Sequence, residues 1–276
     1  DPSKYAIGHL VHITVKDGLS LPGMIVYPKN FDPAKKYPML VFFHGAGEKG
    51  TEHMYLQSLK HSNMIERILS DPELKENFII LAPQCPEFYK WVNTSPWRYG
   101  SYDFENTPQA ETQKEAADKI IEFTQKYSVD MDRIYVTGLS MGGYGAFKWA
   151  FNRPDYFTAA ANLSGVSFVV DLMADTSHGL NGKDTIIECN WGSLEELKGS
   201  NSDSKEWIDR AVAQGTKLPK LFAGMGTEDF SYDFSTAYLA YCKEKGVEIH
   251  YEEMPGGHDW NVWDAMIQKF MAWATK

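Results

Sequence analysis

The apolar run Ile134-Tyr135-Val136-Thr137 passes without a linker into Gly138-Leu139-Ser140-Met141-Gly142, and from there into Gly143-Tyr144-Gly145-Ala146-Phe147. A strand that becomes a helix across such a segment needs a sharp turn with Ser140 at its apex. The glycines two residues either side leave room for the tight backbone. The same alternation of apolar runs and amphipathic stretches extends along most of the 276 residues. YPMLVFF, NFIILAP, RIYVTGLS, FTAAANLSG, KLFAGMG and EIHYEEMPG read as strands. Val11, Ile13 and Val15, the turn KDGLS and then MIVYP predict an opening hairpin.

Helices are predicted near Leu59 to Leu69 and from Pro108 to Tyr127, where Thr107 can cap and Ala117, Ile120, Ile121 and Thr124 share a face. Another follows Gly142 and stops at Pro154. A further helix carries Phe234, Ala237, Tyr238, Tyr241 and Cys242 on its apolar side, and a last one begins near Asp259. Such a sequence predicts one α/β domain over residues 1–276, a mostly parallel sheet with helices on both faces. Two long connections, at about 84–107 and 166–204, interrupt the pattern as loop insertions. The first carries Trp91, Trp97, Tyr99 and Tyr102, and the second Trp191 in a segment suited to a lid.

A formal charge of −10 argues against nucleic-acid binding, which needs clustered Lys and Arg. No apolar stretch is long enough for a membrane helix. Cys85, Cys189 and Cys242 are far apart and suggest neither a disulfide framework nor a zinc site. The sequence begins at Asp1, which is compatible with a removed leader and tilts the expected compartment toward periplasm or exterior. A homo-oligomer is compatible with the sequence.

A serine at such a turn points to nucleophilic catalysis, which requires a base and an acid to orient it. In a sheet of this type the acid and then the histidine follow the serine in the chain. Downstream of Ser140 stand His178, His250 and His258. His250 lies inside a strand and His178 in an irregular stretch. His258, in PGGHDW, leaves the carboxyl end of the last strand, where ligands of parallel sheets bind. For the acid, GTEDF offers Asp229 first and Glu228 as its rival. Asp233 and Asp259 suit helix N-termini better.

The loop FHGAGEKG spells G-x-G-x-x-G from Gly45 to Gly50, but the acidic residue a dinucleotide site needs after a second parallel strand is misplaced. The loop is better suited to an oxyanion. Met141, after the nucleophile, would donate one backbone N–H, and Gly45 or Ala46 the other. His44 reads as structural. The sequence has no H-E-x-x-H, and no metal is expected.

GLSMGGYGAFKWAFNRPDYF, GTEDF and PGGHDWNVWD closely resemble the tributyrin-esterase branch of the esterase D-like α/β-hydrolases. That superfamily also includes S-formylglutathione hydrolases, feruloyl and acetylxylan esterases and mycolyltransferases. The resemblance implies the α/β-hydrolase fold, with Ser140 as nucleophile, His258 as base and Asp229 as acid. It implies hydrolysis of short-chain acyl or aryl esters without a cofactor. PGGHDWNVWD departs from the His-rich block of formylglutathione hydrolases. Trp91, Trp97, Trp191 and Trp260 are candidate substrate-binding residues, able to stack on a sugar or phenolic ring, as acetyl or feruloyl esters of carbohydrates would require. A serine peptidase or a thioesterase on the same fold is the alternative.

Overall fold

The computed structural model describes residues 8–14, 20–45, 70–83, 124–168, 170–171, 194–200 and 202–276. The expected helix near Leu59–Leu69, most of the one from Pro108, Ala46 and the rest of its loop, Cys85, Cys189, His178, Trp91, Trp97 and Trp191 lie outside these residues.

Among the described residues eight strands form one sheet: β1 (Gly8–Thr14), β2 (Ser20–Val26), β3 (Tyr37–Phe43), β4 (Ile79–Pro83), β5 (Val129–Leu139), β6 (Ala159–Leu163), β7 (Lys220–Gly226) and β8 (His250–Met254). Their spatial order is β1-β2-β4-β3-β5-β6-β7-β8. The opening hairpin pairs β1 with β2 antiparallel, Val11 opposite Gly23, and β2 runs antiparallel to β4. Every later pairing is parallel.

The two-residue period of a strand explains the two cores. Met39, Val41 and Phe43 of β3 face one side, and Leu40 and Phe42 the other, all fully buried. A strand apolar on both faces is stable only beneath two helical layers. One layer is α2 (Met141–Asn152), α3 (Ser204–Ala213) and α4 (Tyr232–Glu244), which add Phe147, Trp207 and Tyr238 to the first core. The other comprises α1 (Pro72–Asn77) and α5 (Trp260–Ala274), which add Leu74, Met266 and Phe270 to the second. Local chemistry sets the helix starts. Asp71, Asp203 and Asp259 each cap a helix by accepting from a backbone N–H, and a proline opens α1.

Two expectations differ from the structure. β5 starts at Val129 rather than Arg133, because Tyr37 pairs with Val129 before a register shift brings Met39 opposite Ile134. On α4 the buried positions are Ser235, Tyr238 and Cys242, while Ala237 is exposed. Ser235, Tyr238 and Cys242 follow one another at three and four residues and share the buried face, which leaves Ala237 outside it.

The strand order places a topological switch between β3 and β5. From β3 the chain moves outward to β4, then returns to the other side of β3 as β5. Crevices form beyond the carboxyl ends of strands at such a point. The loops leaving β3 and β5 begin with His44-Gly45 and Ser140.

Candidate active site

Ser140 has φ 53° and ψ −121°, a strained conformation for a residue with a Cβ. Strain of this kind amounts to about 1–3 kcal/mol, so neighbouring contacts must hold it. Its N–H donates to Leu163 O at 2.9 Å, and its carbonyl accepts the first bond of α2 from Tyr144 N at 3.2 Å. The two glycines of the turn are required by the strand beside it. A Cβ at Gly142 would lie 2.1 Å from Phe43 O, and one at Gly138 would lie 2.6 Å from it. The elbow therefore rests directly on the backbone at the end of β3. Among the described residues the Ser140 hydroxyl, half-buried, is hydrogen-bonded to no other group.

Met141 is the first residue of α2, so its N–H has no acceptor within the helix and lies at the positive end of the helix dipole. Its side chain packs on the first core. Across the switch point His44 is completely buried, and its Nδ1 lies 2.7 Å from the carbonyl oxygen of Gly45. This contact anchors the start of the loop in which Gly45 and Ala46 are the expected donors.

Asp229 and His258 leave the carboxyl ends of β7 and β8 and meet there. The backbones are tied together by Thr227 N to Met254 O and Glu228 N to Gly256 O, both 2.9 Å. His258 Nδ1 lies 2.9 Å from Asp229 Oδ2. Asp229 Oδ1 accepts from Ser231 N at 2.9 Å and Ser231 Oγ at 2.8 Å. Burial alone would push this carboxyl up. The hydrogen bond and charge of His258, with the Ser231 amide, outweigh it and hold the group below the usual carboxylate range. The buried Ser164 hydroxyl also lowers it, although it lies outside strict hydrogen-bond geometry. An ionised carboxylate only accepts, so Nδ1 is the donor to Asp229, and in the neutral form of the ring the lone pair is on Nε2.

Phe230 and Trp263 complete the surroundings of the imidazole. The Phe230 ring centroid lies 4.7 Å from that of His258, and Trp263 meets it edge-on at 5.1 Å and 88°. Ser231, Ser164, Phe230 and Trp263 join the site only in the folded chain. Only Ser231 carried a signal, since a serine two residues after an aspartate is a common turn in which the carboxylate accepts from the following backbone.

The remaining candidates fall elsewhere. Glu228 is exposed, and its backbone rather than its carboxylate joins the two loops. Asp233 lies in the first turn of α4, and Asp259 caps α5 by accepting from Asn261 N at 2.8 Å. His250 stacks on Trp273 at 5.1 Å and bonds Glu252, at the amino end of β8. Trp260 is half-buried between Phe42 and Trp263, at 6.5 and 5.6 Å.

The family described as "Putative esterase" matches residues 20–273. An acetyl esterase from Caldicellulosiruptor saccharolyticus is 26% identical over 163 residues, 57% of this chain and 61% of that protein's length. The structure of an S-formylglutathione hydrolase from Staphylococcus aureus superposes with a TM-score of 0.73 at 22% identity, covering 99% of this chain and 100% of that one. A ferulic acid esterase superposes with a TM-score of 0.69 at 19% identity, covering 98% of both chains. At such identities the superpositions establish the α/β-hydrolase fold. The match across nearly the whole chain establishes the family, and this protein belongs to the esterase family of α/β-hydrolases.

Proposed function

We propose that this protein is a serine carboxylesterase that cleaves short-chain acyl or aryl esters through an acyl-enzyme. The observation that carries this reading is the 2.9 Å contact between His258 and the buried Asp229, at the same sheet edge as the strained Ser140 turn. Ser140 Oγ attacks the ester carbonyl while His258 Nε2 takes its proton. The oxyanion of the tetrahedral intermediate is received by Met141 N–H and a donor from the Gly45-Ala46 loop. The alcohol leaves with the proton from His258. Water, activated by the same imidazole, then frees the acid.

The similarity to an acetyl esterase and to ferulic acid esterase structures favours acetyl or feruloyl esters, including those borne by carbohydrates. The tryptophans at 91, 97 and 191 suit such rings by composition. Ser140→Ala should lower turnover of p-nitrophenyl acetate about a million-fold and abolish covalent labelling by a fluorophosphonate. A purified variant that keeps substantial activity removes Ser140 from this role. Cleavage of peptides in preference to small esters would favour the peptidase alternative.

A further inference from the structure

Phe230 is one of three large apolar side chains conspicuously exposed among the described residues, and it stands beside the catalytic imidazole. Its neighbours Asp229 and Ser231 are buried and pinned to one another by hydrogen bonds, which directs the side chain between them outward. Phe230 is 49% exposed, whereas Trp263, on another side of the same imidazole, is 6% exposed. Trp263 is thus a buried support and Phe230 a half-open wall, its ring tilted 50° to the imidazole.

The reaction decides which part of the substrate meets that wall. His258 must return its proton to the departing oxygen, so the alcohol portion lies against the imidazole. The acyl oxygen instead lies at the amides beyond β3 and at the start of α2. A ring flanking the imidazole and open to solvent therefore faces the leaving group rather than the acyl chain. Aromatic faces bind flat partners, either another ring or the C–H face of a sugar, in offset contact.

We propose that Phe230 is the platform for the alcohol portion of the ester and selects alcohols with a flat face. This assignment rests on the esterase reading of the site. The chemistry shared by an aryl group and a pyranose is the flat apolar face, and the two are separable by experiment.

The test uses three acetate esters that form the same acetyl-enzyme: phenyl acetate, an O-acetylated methyl xyloside and ethyl acetate. Because deacylation is common to all three, differences in kcat/KM report on acylation and the alcohol. Phe230→Ala is expected to lower kcat/KM about tenfold more for phenyl acetate or the xyloside than for ethyl acetate. Phe230→Trp should keep the selectivity of the wild type. A selective fall for one flat substrate identifies the alcohol class. An equal fall for all three, or none, in an enzyme that still labels with fluorophosphonate overturns the platform while sparing the esterase reading. A wild-type protein that neither labels nor cleaves any ester overturns both.

Discussion

A Cβ added at Gly226 would lie 2.0 Å from the carbonyl oxygen of Gly256. The ends of β7 and β8 touch backbone to backbone at this point, and Gly256 sustains a φ of 137° that other residues rarely adopt. The contact brings together the two loops that carry Asp229 and His258.

Gly226→Ala must therefore move one backbone away from the other. We expect a loss of about 1–3 kcal/mol in stability and about a hundredfold in kcat/KM, the scale of a misplacement near 1 Å. Urea unfolding and ester kinetics measure the two. Wild-type values for both would show that the close approach does not govern the site.

The Asp229 carboxyl is held down in the folded protein and returns to about 3.9 in the unfolded chain. It adds stability above that unfolded value, and the addition is lost as pH falls through the lower folded value. Ser231→Ala removes one donor, raises the folded value and should make unfolding free energy less pH-dependent between about 5 and 3. Asp229→Asn should lower kcat about ten-thousandfold by presenting the wrong histidine tautomer. Unchanged acid sensitivity in Ser231→Ala would show that the amide, which the substitution keeps, holds the carboxylate without help from the 2.8 Å hydroxyl bond.

Lys148, two turns beyond Ser140, is buried, with its Nζ 3.2 Å from Ser202 Oγ. Burial, aided by the charge of Arg210, lowers its amine from 10.5 to about 7. Because the unfolded chain binds the proton more tightly, stability should rise with pH between about 7 and 10. The full protonation penalty, on the order of 4–5 kcal/mol, applies below that window. Lys148→Met should flatten this rise and stabilise the protein at pH 7. Chemical denaturation of both proteins at pH 7 and pH 9.5 measures it, and equal slopes would refute it.

His44→Phe keeps the buried volume but releases the Gly45 carbonyl. We expect kcat to fall about a hundredfold, within the range for losing one oxyanion donor, with a smaller change in KM. A fall confined to KM would assign the loop to substrate binding instead.

The elbow was legible because its signature is local, although its cause is a contact with a distant strand. The turn at Ser140 presses on the backbone of β3, and the resulting demand for glycine is written in five consecutive residues. The parallel sheet was legible for a similar reason, since strands buried on both faces carry uninterrupted apolar runs. Asp229 and His258 could be nominated by their places after strand ends, with Glu228 still a rival. Their pairing across 29 positions of sequence arises only when Gly226 and Gly256 meet. Lys148 has the spelling of a surface charge, and Phe230 that of a core residue. Packing inverted both, because burial depends on which distant segments arrive alongside, a property that neighbours in the chain do not encode.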